Sequence, residues 1–271
     1  MFSIGLYAWL IAYLEISVMD LKWKSSTLVH SLLGFVISMM LVFRTNTAYE
    51  RWSEGRRLWG GLVNCSRNVM IQLRSMRVED AVIRHLALLI GNYAFSLKNH
   101  LREDGSLQEY EQDKDFYPAE LNHLPHKPNY LAYRLYAVVG DLYDRKLLSD
   151  AQLLVLNQEL KQLTDICGAC ERIKKTPIPF SYSLFLKKFL FAYIMTMPFG
   201  FVSDFGYWII GIVVFVFYVL ASLELIAEEI EQPFGEDQND LPLHDLSQTI
   251  RRNALEIAAM RPVAAMPGPQ V

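Results

Sequence analysis

Cysteine is scarce: three residues in 271, Cys65, Cys167 and Cys170, too few for a disulfide framework. Positive charge is not in excess either. The formal net charge is −3, which gives no ground for a nucleic-acid partner. The N-terminus lacks the basic region and small-residue cleavage site of a signal peptide. No internal repeat is visible. The one biased stretch is the Ala/Pro/Met-rich tail after Met260, for which disorder is expected. G-x-S-x-G, Walker and H-E-x-x-H motifs are all missing, so none of the common enzymatic sites is signalled. Alternating β patterns are rare.

What remains is apolar. Hydrophobic residues make up 52% of the chain and aromatics 13%, against 20% charged. That is too apolar for an ordinary soluble domain and too charged for a chain lying wholly in a membrane, so a mixed architecture is expected. Leu28–Phe43 has no charged residue and, as a helix, rises roughly 24 Å, close to a hydrocarbon core of about 30 Å. Met1–Met19 carries one charge, Glu15, and spans only if Met1 itself lies in the membrane, so a missing or differently started first segment is expected. Phe189–Ser203 and Phe205–Leu223 form a second apolar pair, with Asp204 and Gly206 as a tight turn. Phe180–Leu186 extends the first of these, and the second continues to Ile230.

Between Arg44 and Thr176 there is no spanning segment. Apolar residues recur at helical spacing in Ala48–Met76, Val78–Leu101, Asn129–Lys146 and Asp150–Ile173, with Ser149 and Asp150 as N-cap candidates. Arg102–Pro128 is polar and proline-rich, a long connection. Arg44, Arg51, Arg56, Arg57, Arg172, Lys174, Lys175, Lys187 and Lys188 flank one side of the apolar segments, and only Lys22 and Lys24 flank the other. By the positive-inside rule the central domain and the C-terminus are expected to be cytoplasmic.

Several residue patterns carry two readings. Ser31, Gly34 and Ser38 share one face of the Leu28–Phe43 helix, and Phe35, Met39 and Phe43 form a neighbouring bulky stripe. Small residues suit close helix packing. The bulky stripe, repeated by symmetry, would make hydrophobic rings that line a pore. Cys167-Gly-Ala-Cys170 has redox spacing but sits near a helix end without a βαβ context, so packing is the expected role. His123 and His126 could bind a metal, but no Cys or His cluster lies beside them in the sequence. Thr176-Pro-Ile-Pro-Phe180 predicts a rigid non-helical loop around Ile178, locally an inter-domain elbow. Glu236-Asp-Gln-Asn-Asp240 suits an acidic solvated loop better than a calcium site. Glu15, Asp204 and Glu224 look too dispersed for a membrane-embedded enzyme.

Three separated stretches together resemble the bestrophin family. They are Phe43-Arg-Thr-Asn-Thr-Ala-Tyr-Glu-Arg-Trp52 with Arg57-Leu-Trp-Gly60, Cys170-Glu-Arg-Ile173 through Thr176-Pro-Ile-Pro-Phe-Ser-Tyr182, and Ala227-Glu-Glu229 through Pro233-Phe-Gly-Glu-Asp-Gln-Asn-Asp-Leu241. The resemblance implies an all-α membrane protein with four transmembrane helices per subunit, continuous with a cytoplasmic helical domain. Five copies would assemble as a homopentamer around a central pore. It implies transmembrane helices 1 and 2 over 1–43, a cytoplasmic helical domain over 44–179, transmembrane helices 3 and 4 over 180–231 and a cytoplasmic segment over 232–271. It maps the pore neck onto Phe35, Met39 and Phe43 and a cytosolic aperture onto Ile178, replacing the inert elbow. Asp237 and Asp240 match the side-chain ligands of the family's calcium clasp. The clasp's backbone ligand comes from a segment with no counterpart here, and bacterial relatives suggest that calcium activation is absent. No other cofactor is implied.

The function expected on this basis is conduction of small monovalent ions, anions such as chloride in the first place, across a bacterial inner membrane. The partners are the bilayer, the permeating ions and further copies of the chain. Met39 stands at a neck level where animal relatives carry an aromatic. This keeps open a cation-selective channel of the same fold, and a membrane-anchored sensor without conductance is the other alternative.

Overall fold

The computed structural model describes residues 1–19, 27–76 and 78–261. Lys22, Lys24 and the tail from residue 262 lie outside the described residues. The described residues form eight α-helices and no strand: α1 Phe2–Tyr13, α2 Thr27–Ser75, α3 Asp80–Arg102, α4 Lys127–Asp144, α5 Asp150–Lys175, α6 Phe180–Phe205, α7 Ile209–Glu231 and α8 Leu243–Ala259. The all-helical class expected from the periodicity is therefore observed. Two stretches, Leu28–Ser75 and Phe180–Glu231, are long and apolar enough to cross a membrane; Phe2–Ser17 is apolar but shorter.

The chain divides into two compact units. The first takes Met1–Trp52 and Pro177–Pro233, the second Ser53–Thr176 and Phe234–Val271. In the first unit α1, α6 and α7 share a core of Ala8, Ala12, Leu190, Ile194, Met197, Val202, Ile209 and Val213. The first half of α2 joins it through Ile37 and Leu41 against Leu186. The alanines on α1 let that helix approach α6 and α7 closely, as small residues do in membrane bundles. Pro198 sits inside α6. In the turn before it, the Met195 carbonyl accepts from Tyr7 Oη at 2.8 Å and the Thr196 carbonyl lies 3.1 Å from His30 Nε2. Side chains of α1 and α2 thus bond to backbone carbonyls of α6 in the turn before its proline.

The turn between α6 and α7 differs from the expected one. Asp204 is still helical, and the reversal is made by the 3-10 turn Gly206–Trp208. Gly206 adopts φ +53°, a left-handed conformation that suits glycine, and its N–H closes on the Val202 carbonyl.

In the second unit α3 is central. It is buried nearly all round and packs against α8 and α4. Three of its buried polar residues are matched by the connection that follows. Asn92 exchanges two hydrogen bonds with the Glu111 backbone, at 2.7 and 2.9 Å, Lys98 binds Glu109 at 2.6 Å, and His85 binds Asp113 at 2.6 Å. Such pairing is what permits buried polar groups at all. Ser149 caps α5 in a capping box with Gln152, as expected.

Two departures from the sequence reading stand out. The blocks Thr27–Phe43 and Ala48–Met76 are one helix of 49 residues, roughly 74 Å long. Between them Thr45 and Thr47 bond back to the Leu41 and Phe43 carbonyls at 2.9 and 3.0 Å, so the polar segment stays helical. The C-terminal segment contains a full helix, α8. It buries Leu243, Ser247, Ile250, Ala254 and Ile257 at helical spacing.

Candidate functional site: the bulky stripe and the buried ion pair beside it

The first half of α2 presents two faces. Ile37, Leu41, Arg44 and Ala48, spaced four, three and four apart, are buried. Phe35, Met39 and Phe43 are 66%, 48% and 56% exposed in the single chain. Each step of four residues turns about 400°, leaving successive members only about 40° out of line, and rises about 6 Å. The three side chains therefore stand as one row of three levels. The small residues behave differently. A Cβ at Gly34 would lie 2.7 Å from Tyr193 Oη of α6, so this glycine gives way to a neighbouring helix. The packing reading therefore holds at Gly34, while the bulky row is exposed in the single chain.

Directly after Phe43 comes Arg44, 2% exposed. Its Nη2 lies 3.4 Å from Glu224 Oε1 and 3.5 Å from Glu231 Oε2, and Nη1 donates to Ser183 Oγ. Lys187 adds a second cation, 3.8 Å from Glu224 and 2.8 Å from Glu228. Arg44, Glu224 and Glu231 are largely out of water and offset one another's charge, as burial of charge requires, and Lys187 and Glu228, both well exposed, extend the cluster towards the surface. Dispersed in the sequence, Glu224 is clustered in space. The sequence reading missed this cluster, because Arg44 is more than 130 residues from each of its partners.

Glu231 does more than balance charge. Its Oε1 accepts the Ile178 N–H at 2.9 Å, and its carbonyl accepts from Arg51 Nε at 3.0 Å. Ile178 is half-buried and non-helical between Pro177 and Pro179, as the two prolines predict. One carboxylate therefore ties the backbone of the Ile178 loop to the arginine that follows the bulky row. Breaking it would loosen both.

The acidic turn belongs to the second unit. Phe234 and Leu241 pack over Gly55, and Arg102 Nε donates to the Phe234 carbonyl at 3.3 Å. Asp240 Oδ2 already accepts the Asp237 N–H at 2.8 Å. Two carboxylates supply fewer oxygens than the six to eight that calcium takes, so these residues do not by themselves fit a calcium site. Among the described residues no third Asp, Glu, His or Cys ligand joins them. All three cysteines are free and buried. Burial first, then neighbouring Glu171, pushes the Cys167 thiol up to about 12, and burial likewise raises Cys170 to about 12. Neither offers a thiolate for redox chemistry near neutral pH.

Comparison with known proteins places this architecture. The chain is 35% identical over 238 residues to a protein of Nostoc sp. named as a voltage-dependent anion channel-forming protein, covering 84% of this chain and 76% of the relative. A protein of the same description in Escherichia coli, YneE, is 32% identical over 234 residues, 84% of this chain and 75% of the relative. Crystal structures of a bestrophin homologue from Klebsiella pneumoniae superpose with TM-scores of 0.88 and 0.89 at 29% and 28% identity, covering 96% of this chain and 98% and 97% of the homologue. The family model described as bacterial/fungal bestrophin protein matches residues 1–256. The chain belongs to the bestrophin family, a family of membrane channels and not of enzymes.

Proposed function

We propose that the protein is the subunit of a bacterial anion channel, five copies of which surround one pore lined by Phe35, Met39 and Phe43, with Ile178 at a cytosolic aperture. The observation that carries this reading is the row of three bulky apolar side chains on α2, exposed opposite the face that packs on α6. A row of this kind, on a helix from an apolar segment, wants either lipid or copies of itself. Repeated about an axis it makes three apolar rings. Apolar rings give a permeating ion no substitute for its hydration shell, so ring diameter and wetting set the barrier. Aromatic ring edges carry partial positive charge and favour an anion, whereas the Met39 thioether is only a weak acceptor.

In this reading α1, the first half of α2, α6 and α7 cross the inner membrane, and residues 44–179 and 232–271 are cytoplasmic. The basic residues after Phe43 and before Phe189 support that orientation. Calcium has no part in it. The names of the Nostoc and Escherichia coli relatives favour anions, and chloride is the natural test ion.

The test is current from purified protein in a planar bilayer under a chloride gradient. A reversal potential near the chloride equilibrium value, from pentameric protein, is expected. A reversal near the sodium value would make Met39 part of a cation filter. Silence from intact pentamers would turn the chain into a membrane-anchored sensor.

A further inference from the structure

Away from the bulky row, the second unit brings together three side chains that are far apart in sequence. His100 lies in the last turn of α3, His126 is the N-cap of α4, and Glu171 lies on α5. Both Nε2 atoms stand 2.7 Å from the same Glu171 Oε1. The two imidazoles lie 4.5 Å apart between ring centres, inclined at 39°. The three ligand atoms all fall within 4.8 Å of one another. A cavity of about 330 Å³ opens beside them, lined by His100 and Glu171 together with Asn99, Leu124, Lys127 and Lys174.

We propose that His100, His126 and Glu171 form a binding site for a zinc-like divalent transition-metal ion. Two imidazole nitrogens with one carboxylate oxygen match the borderline donor preference of zinc, cobalt and nickel and not the oxygen-only preference of calcium or magnesium. A tetrahedral zinc ion needs ligand atoms roughly 3.3 Å apart. The two nitrogen–oxygen contacts would open from 2.7 Å by about 0.6 Å to reach that spacing. The cavity leaves the fourth position to water.

The same contacts describe a competitor, a metal-free knot in which both imidazoles donate to one carboxylate. His126 makes the two states distinguishable. Its Nδ1 accepts the Asn129 N–H at 3.1 Å, so without metal its ring proton sits on Nε2 and points at Glu171. An ion on Nε2 moves that proton to Nδ1, where it faces the Asn129 N–H, donor against donor. The cap of α4 must then open. Losing a side-chain cap weakens an equilibrium by roughly one order of magnitude, a small loss beside the affinity of multi-ligand zinc sites. Metal binding is therefore coupled to release of the first turn of α4.

The test uses untagged, chelator-stripped full-length protein in detergent, titrated with zinc by calorimetry and checked for metal content. One zinc per chain is expected, with millimolar calcium or magnesium unable to displace it. His100→Ala and Glu171→Gln should each weaken binding by at least about 30-fold. His126→Ser keeps a hydroxyl to cap α4 and should weaken binding equally while holding the metal-free melting temperature. Amide exchange at Asn129 should speed up on zinc addition in the parent protein. The proposal is overturned if the parent takes up no zinc, if all three variants bind within about threefold of it, or if Asn129 stays protected with zinc bound.

Discussion

The two units answer the same problem, the burial of polar groups in a helical core, in opposite ways. In the first unit the buried charge is gathered into one knot, Arg44 with Glu224 and Glu231, and much of the outer surface is aromatic. Phe180, Phe185, Phe191, Trp208, Phe215 and Tyr218 are all exposed. In the second unit polar pairs are spread along α3, at His85, Asn92 and Lys98, each matched by a partner from Glu109–Asp113. In the membrane arrangement proposed above, the difference reflects the surrounding solvent. A helix facing lipid gains nothing from a polar exterior and must satisfy its few charges internally. A helix inside a water-facing bundle can draw partners from its own polar loops.

The sharpest way to break that comparison is to remove the centre of the first knot. Arg44→Met leaves Glu224 and Glu231 facing each other out of water, and it should cost about 3–5 kcal/mol, read as a fall in melting temperature. Glu231→Gln keeps an acceptor for the Ile178 N–H and should cost distinctly less than Glu231→Ala. Equal losses would mean that the Ile178 contact carries no weight. A core deletion in the second unit comes next. Leu89→Ala on α3, fully buried, should cost about 2–5 kcal/mol and leave ion selectivity untouched.

A milder effect follows from Glu109. Burial alone would raise its carboxyl, but the hydrogen bond and charge of Lys98, with His244, bring it below its ordinary 4.5. A carboxyl depressed in the folded state contributes stability that is complete above its unfolded value and lost as pH falls through the folded one. The protein should therefore lose stability as pH drops below about 4.5, and Glu109→Gln should flatten that limb of a melting-temperature profile. An unchanged acid limb would assign it to other carboxylates.

The smallest change in stability should accompany the largest change in function. Met39 is about half exposed in the single chain, so Met39→Ala should shift folding stability by no more than about 0.5 kcal/mol, yet widen the middle ring and raise conductance. Met39→Phe should push selectivity towards anions. Ile178→Ala should alter permeability ratios among ions of different size. If Met39→Ala instead lowers the melting temperature by several degrees with currents unchanged, the row is a packing surface.

Much of this molecule was legible from local order alone. Helical periodicity marked the cores of α3, α4 and α5, Ser149 announced a cap, and the prolines around Ile178 excluded helix there. The four-residue spacing of Phe35, Met39 and Phe43 is a property of any helix, so their common row needed no tertiary information. Helix α8 was equally encoded, in Leu243, Ile250, Ala254 and Ile257, but its mean polarity hid the pattern. The continuity of α2 through Arg44–Thr47 was hidden for a related reason. A polar segment between apolar ones reads as a boundary, and only back-bonded threonines and a buried arginine show that it is not.

Two groupings were decided by tertiary structure. Arg44 meets Glu224 and Glu231 across about 180 residues of chain, and His100 meets His126 and Glu171 from three separate helices. Sequence spacing encodes which residues share a face of one helix, because the backbone repeats. It carries no such rule for which faces of different helices meet. That depends on how whole helices pack, and with it go the neutralisation of a buried charge and the convergence of metal-ligating side chains.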